Sequence, residues 1–174
     1  MEKKTLFLTI GVFWLVIILG FIAIKEFTLQ TGKEVLLKTV PIDPRDLFRG
    51  DYVILRYDIS NLDLNAIPTD YKDFKSKDKI YVSLNIQDGY GIPSKLHKEP
   101  PEEGLFIKGI VKDAGNNMVA VEYGIENYFV PEGKGRNIEQ ARGRALDSKV
   151  LIDRFGSAGI KNLLIDGKEV DFSS

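Results

Sequence analysis

The feature that most constrains this chain is an uncharged run near its N-terminus. The 20 residues from Thr5 to Ile24 carry no charge and lie between Lys3-Lys4 and Lys25-Glu26. A helix rises about 1.5 Å per residue, so this run would be roughly 30 Å long, which is the thickness of a bilayer's hydrocarbon core. The sequence therefore predicts an uncleaved transmembrane anchor over residues 5–24.

Two alternatives to the anchor are a cleaved signal peptide and a buried helix of a soluble protein. Cleaved signal peptides have a shorter apolar region, about 7–15 residues, which ends in small residues at the cleavage site. This run is longer and ends in Ala23-Ile24-Lys25-Glu26-Phe27, without an A-x-A pattern. A helix that is apolar on every side would need a larger protein around it. The anchor is the favoured interpretation.

Flanking charge predicts the orientation of this anchor. Lys3, Lys4 and the α-amino group precede the run, and Lys25 and Lys33 follow it. The excess before the run favours a cytoplasmic N-terminus. We therefore expect a single-pass protein of the cell membrane, with the bilayer as the partner of residues 5–24. Its predicted parts are a cytoplasmic head (1–4), the anchor (5–24), a membrane-proximal connection (25–32) and an extracytoplasmic β-rich domain (33–174).

Composition excludes several classes of function. The formal net charge is -1, there is no cysteine, and His97 is the one histidine. A dedicated nucleic-acid binder usually carries a basic excess, so we expect no nucleic-acid partner. Disulfides, thiol nucleophiles and cysteine-ligated metal sites are excluded, and so is a multi-histidine site. We expect no cofactor, no metal and no catalytic residue; whether the chain is an enzyme stays open, and the sequence leans towards no catalysis.

The rest of the chain reads as a mainly β domain, a barrel or sandwich of about seven or eight short strands with one short helix. Gly and Pro recur every eight to twelve residues, as they do between short strands. Residues 80–87 alternate between apolar and polar, which predicts one buried face. The other predicted strands are residues 35–42, 51–59, 105–112, 118–125, 149–155, 160–165 and 168–172. A helix starting at Asn137 and two long loops, 61–78 and 88–104, complete the prediction; His97 falls in the second loop as a solvated residue.

Two segments carry candidate binding residues. In the first, Asp51 would share a strand face with Val53, Leu55 and Tyr57, which is costly for a carboxylate unless it is paired. Arg45 and Arg49, in the preceding turn, are its expected partners. This pattern fits a purely structural Arg–Asp network. It also fits a surface that binds a carboxylate, a phosphate or a peptide terminus, because guanidinium groups suit such ligands.

The second segment adds acidic and aromatic residues. Glu122, Glu126 and Tyr128 would share one face of a strand, and Glu132 follows. These carboxylates do not have the spacing of a calcium-binding loop. A role in glycoside cleavage depends on the distance between two carboxyl groups, which a sequence does not give. Pairing of the carboxylates with arginines is therefore the simpler interpretation. The candidate ligand-binding residues are Arg45, Arg49, Asp51, Tyr52, Tyr57, Glu126, Tyr128 and Glu132.

These segments carry a family resemblance. Gly50-Asp51-Tyr52-x-x-Leu55-x-Tyr57 resembles the motif that gives the GDYXXLXY family of membrane-anchored proteins its name, and Gly124-Ile125-Glu126-x-Tyr128 resembles the start of that family's second block. The likeness extends along the whole chain. It implies membrane attachment and no particular reaction. Members often occur beside multi-pass membrane proteins, which implies such a partner here.

Three functions are compatible with these patterns. The first is an extracytoplasmic module that binds a partner membrane protein or an envelope ligand without catalysis. The second is a membrane-bound hydrolase similar to signal peptidases, which needs a nucleophilic serine ahead of Gly50-Asp51. No serine occurs between Glu34 and Gly50. Ser148 and Lys149 could not form a serine–lysine dyad, because neighbours in a strand point to opposite faces. The third is a structural accessory subunit of a larger assembly.

Overall fold

The computed structural model describes residues 3–40, 48–49, 52–130 and 146–170. One long helix, α1 (Lys3–Thr31), is followed by β strands and a single 3-10 turn (Asp58–Ser60). The strands are β1 (Lys33–Lys38), β2 (Phe48–Arg49), β3 (Tyr52–Ile54), β4 (Asn61–Asp63), β5 (Lys79–Gln87), β6 (Tyr90–His97), β7 (Phe106–Gly115), β8 (Met118–Glu122), β9 (Asn127–Phe129), β10 (Leu146–Ile152), β11 (Ala158–Ile165) and β12 (Lys168–Glu169). The predicted mainly β class with one helix before it is confirmed.

Helix α1 exposes apolar side chains on all sides. Val12 to Val16 are five consecutive residues, each between 55% and 60% exposed. Because a helical turn holds about 3.6 residues, these five cover the whole circumference. The sequence predicted a membrane-spanning helix over residues 5–24; in the part of the chain that is described, no helix meets the combined length and apolarity of a membrane span.

Nine strands form one sheet in the order β12-β11-β10-β1-β6-β5-β7-β8-β4. Its neighbours are antiparallel except β1 and β6, which meet in parallel where Leu36 lies beside Tyr90. The short strands β2, β3 and β9 form a second sheet. Both sheets contribute to a single apolar core, which includes Val53 and Val130 from the second sheet and its flanks. The two sheets therefore fold as one unit.

The alternating pattern predicted for residues 80–87 is confirmed over residues 80–84 of β5. Ile80, Val82 and Leu84 are buried, with the intervening residues on the other face. The alternation ends before Ile86, which is 41% exposed because β5 continues beyond the core. The strands predicted over residues 105–112 and 118–125 are present as β7 and β8, and they are joined by a turn at Asn116-Asn117, both with positive φ.

The loop predicted over residues 88–104 is wrong over residues 90–97, since β6 occupies Tyr90–His97. Gly91 lies where the backbone is close to Val35 and Leu84, so a Cβ there would collide with them. Pro93 lies where the β5–β6 register shifts, a position at which a strand tolerates proline. His97 is therefore a strand residue and not a solvated loop residue. The helix predicted from Asn137 falls in residues 131–145, outside the described ranges.

The nine-stranded sheet curls so that distant parts meet. The turn between β10 and β11 reaches β7, where the Lys108 amide donates to the Gly156 carbonyl at 2.8 Å. Gly156 has a φ of +78°, and a Cβ at this position would lie 2.6 Å from the ring of Phe106. Glycine is therefore required here for its backbone conformation and for space.

Gly156→Ala should destabilise the protein more than Gly167→Ala. Gly167 has nearly the same φ, +77°, but a Cβ added there would have no atom within 4 Å, so this variant isolates the conformational cost. We expect that cost to be about 1–2 kcal/mol for Gly167→Ala and a further cost of about 1–3 kcal/mol for Gly156→Ala, from the clash with Phe106. Urea unfolding of the full chain in detergent measures both. Equal losses in the two variants would contradict the close approach.

Candidate functional site

The two sequence blocks that carry the candidate residues lie side by side. β3, from the first block, pairs antiparallel with β9, from the second, in the register Tyr52 with Phe129, Val53 with Tyr128 and Ile54 with Asn127. Just beyond β3, the Leu55 amide donates to the Glu126 carbonyl at 2.7 Å. Segments about 70 residues apart in sequence are thus joined along their backbones.

Tyr57 is the most deeply buried of the candidate side chains that the structure describes. Its side chain has no exposed surface, and its hydroxyl donates to the Ile125 carbonyl at 2.7 Å. The Ser148 hydroxyl lies 3.5 Å away, and burial raises the pKa of Tyr57. As predicted, Val53, Leu55 and Tyr57 share one buried face. The predicted strand 51–59 ends early, because a Tyr57–Ser60 turn follows, in which the Tyr57 amide donates to Ser60 Oγ at 3.2 Å.

Glu126 uses its carboxylate to close its own turn. Its two oxygens accept from the Tyr123 amide at 2.5 Å and from the Gly124 amide at 2.9 Å. Gly124 has a φ of +79°, so the turn favours glycine. The Tyr123 hydroxyl in turn donates to the Ile59 carbonyl at 2.5 Å, and burial raises the pKa of Tyr123. The second block is therefore tied to the residues that follow the first.

The remaining candidates are described only in part. Tyr128 is half-buried, and burial raises its pKa. Arg49 and Tyr52 are paired in the backbone register of β2 and β3. Arg45, Asp51 and Glu132 lie outside the described residues. Ligand binding by the eight candidates stays a prediction; Tyr57 and Glu126 have a role in packing and turn formation.

A groove that the sequence reasoning missed lies beside the second block. Its volume is about 400 Å³, within the range typical of ligand sites. Its lining residues are Ser76, Lys77, Lys108, Gly109, Ile110, Val111, Lys112, Glu122, Tyr123 and Gly124. We call it the lysine groove. Sequence patterns could not reveal it, because its walls come from β7, β8 and two separate loops.

The lysine groove favours a negatively charged group. Lys112 and Glu122 neutralise each other, with Nζ 3.0 Å from a carboxylate oxygen. Lys77 and Lys108 have no carboxylate partner among the described residues. Gly109 forms part of the wall, where a Cβ would overlap the side chain of Val121. The groove therefore combines an apolar surface with two ammonium groups that have no carboxylate partner in the described part of the chain.

The serine–lysine pair considered for a hydrolase does not converge. Ser148 has no exposed surface and points towards Tyr57. Lys149 lies on the other face of β10, where it is paired with Glu34 and Glu169, and its hydrogen bond to Glu169 raises its pKa. The prediction that the two point to opposite faces is confirmed. No cluster of three or more metal-ligating side chains occurs among the residues described.

The protein is thus of the class in which one helix precedes a β domain of two sheets. In this domain the two sequence blocks that carry the candidate residues pair with each other at the core. A family model described as "GDYXXLXY protein" matches residues 14–163, and the chain belongs to this family. No curated protein and no solved structure matches the chain.

Tyr57→Phe should destabilise the fold without changing its shape. Removal of the hydroxyl leaves the buried Ile125 carbonyl without this donor, which costs about 1–3 kcal/mol. Tyr81→Phe is the matched control, because Tyr81 is only partly buried on the outer face of β5 and should lose less than about 0.5 kcal/mol. Urea unfolding followed by circular dichroism measures both losses. An equally small loss in both variants would contradict the role assigned to Tyr57.

Proposed function

We propose that this protein is a single-pass membrane protein whose extracytoplasmic β domain binds a partner membrane protein or an envelope ligand. The observation that carries the membrane part is the exposure of apolar side chains around the whole of α1. In water such a surface is unfavourable, at about 25 cal/mol per Å² of apolar area. Lipid is the environment that removes this cost, and the uncharged run from Thr5 to Ile24 has the length that a bilayer requires.

The neighbourhood of the helix end supports the same proposal. α1 ends at Thr31, and Lys33 opens β1 opposite Ile152 of β10. The turn after β10 therefore lies near the point where the chain leaves α1. It presents Phe155, which is 56% exposed, with the Arg154 guanidinium 4.7 Å from the ring centre. An aromatic ring with a cation beside it suits the boundary between lipid and water.

The lysine groove supports the binding part. Lys77 and Lys108, which no described carboxylate neutralises, would attract an anionic group, and the apolar walls would bury the remainder of a ligand. We propose that an acidic side chain of a partner membrane protein, or an anionic envelope ligand, occupies it. The signature residues Leu55 and Tyr57 then act indirectly, because they hold the second block that forms one wall of the groove.

The absence of cysteine allows a direct test of the topology. Lys4→Cys and Asp88→Cys each add a single thiol, one before the uncharged run and one in the exposed β5–β6 turn. In intact cells, a membrane-impermeant maleimide should label the thiol at position 88 but not the one at position 4. After lysis it should label both. Labelling at position 88 only after lysis would contradict the proposed placement of the domain.

A photo-crosslinking residue tests the binding role. Ile110 lines the lysine groove and Met118 does not, yet their exposures are nearly equal, 41% and 42%. In native membranes, a benzoylphenylalanine at position 110 should form a specific adduct, and the same residue at position 118 should not. The combined change Lys77→Glu and Lys108→Glu should abolish the adduct.

Two results would contradict the binding role. The first is the same adduct pattern at positions 110 and 118, which would mean that the groove has no special affinity. The second is no adduct at either position, which would favour an accessory subunit that acts through other surfaces.

A further inference from the structure

Three side chains outside the lysine groove form a chain of hydrogen bonds. Ser83 lies in the middle of β5, His97 ends β6, and Asp70 belongs to the segment before β5. Ser83 Oγ lies 3.0 Å from His97 Nε2, and His97 Nδ1 lies 3.0 Å from Asp70 Oδ2. The single histidine of the chain thus bridges a hydroxyl and a carboxylate.

The acceptor character of Asp70 fixes the direction of these hydrogen bonds. An ionised carboxylate can only accept, so His97 Nδ1 carries the hydrogen that points to Asp70. In the neutral imidazole, Nε2 then has a lone pair, and the Ser83 hydroxyl donates to it. This is the arrangement in which a carboxylate orients a base and the base accepts a proton from a serine.

The strands around Ser83 are irregular at this point. The β5–β6 register shifts between Ser83 and Leu84, so Ser94 has no cross-strand partner residue, and its hydroxyl donates to the Ser83 carbonyl at 3.1 Å. Such bulges redirect side chains and are common beside active sites. Here the bulge lies directly at the serine, on the outer face of the sheet.

The neighbours of Ser83 differ on its two sides. Lys95 lies opposite Ser83 on β6; its Nζ is 3.8 Å from Asp70 Oδ2, and its side chain is 48% exposed. Phe106 lies opposite on β7 and packs edge-on against Tyr81, with ring centres 5.9 Å apart. The His97 side chain is only 13% exposed, whereas Asp70 is half-exposed. The site therefore has a half-exposed cation on one side, the buried ring of Phe106 on the other and a half-exposed carboxylate at its outer end.

From this geometry we infer that Ser83, His97 and Asp70 form a nucleophilic site for small carboxylic esters. Ser83 Oγ attacks the ester carbonyl carbon and forms a C–O bond, while its proton passes to His97 Nε2. The bond to the leaving alcohol breaks, and the alcohol departs with that proton. Water, deprotonated by His97, then cleaves the acyl–serine bond, which releases a carboxylic acid and restores the hydroxyl.

The remaining groups have supporting roles. Lys95 lies opposite Ser83 on β6, and we assign to it the stabilisation of the negative charge that develops on the carbonyl oxygen. Asp70 is a positioning residue, because it acts on the ester only through His97. The site is independent of the lysine groove and of the membrane anchor.

A fluorophosphonate reagent tests this inference on the full chain in detergent. The Ser83 oxygen should displace fluoride at phosphorus, and peptide mass spectrometry of the wild-type protein should locate the adduct on Ser83. Ser83→Ala should abolish labelling. His97→Gln should slow it by about 10²–10⁴-fold, as expected for loss of a general base. Ser157→Ala is the control, because it removes a hydroxyl in the turn between β10 and β11, outside the proposed site, and it should label at the wild-type rate.

The rate of labelling and its dependence on pH test the positioning role of Asp70. Asp70→Asn should slow labelling and change its dependence on pH, because the imidazole is no longer held by a carboxylate. Circular dichroism of each variant separates these effects from unfolding.

Two outcomes would overturn the inference. One is a folded wild-type chain that shows no adduct on Ser83. The other is equal labelling rates in the wild type and in folded His97→Gln. In either case the three side chains serve only to join the Asp70 segment to the sheet. The thiol-labelling and crosslinking experiments would still stand, so the two proposals fail separately.

Discussion

The structure depends on one buried hydrogen bond between its two signature blocks. The Tyr57 hydroxyl donates to the Ile125 carbonyl, 68 positions further along the chain. The Leu55 amide and the Glu126 carbonyl extend this link along the backbone. A buried carbonyl without a donor is costly, so once Tyr57 is in the core the second block must lie against it. Leu55 and Tyr57 of the GDYXXLXY motif therefore serve to pack the second block against the core. The surfaces available to ligands lie beside it, in the lysine groove and on the outer face of β5 and β6.

Local patterns predicted the parts of the fold in which one face is buried. The alternation in residues 80–87 predicted β5, and the spacing of Val53, Leu55 and Tyr57 predicted a shared buried face. These predictions succeeded because the side-chain period of a strand is visible in the sequence whenever one face meets the core. The family was also recognisable, because its residues are consecutive and specific.

Features set by contacts between distant segments could not be predicted in this way. Gly91 and Pro93 indicated a loop, yet β6 accommodates the first by close packing and the second at a register shift. Because residues 88–104 were predicted as a loop, His97 was expected to be solvated, and its hydrogen bonds to Ser83 and Asp70 were not predicted. The lysine groove was missed for the same reason, since its walls come together only when β7 pairs with β8. For Glu126, the sequence could not distinguish a ligand-binding carboxylate from one that closes its own turn.

Amide hydrogen exchange tests the central claim most directly. If the pairing of the two blocks is part of the core, the Leu55 amide, which is bonded to the Glu126 carbonyl, should exchange only through global unfolding. Its exchange should then be as slow as that of the Val82 amide in the middle of β5. Tyr57→Phe should accelerate both amides by the same factor. A Leu55 amide that exchanges orders of magnitude faster than that of Val82 would mean that the blocks open independently, and the account would be contradicted.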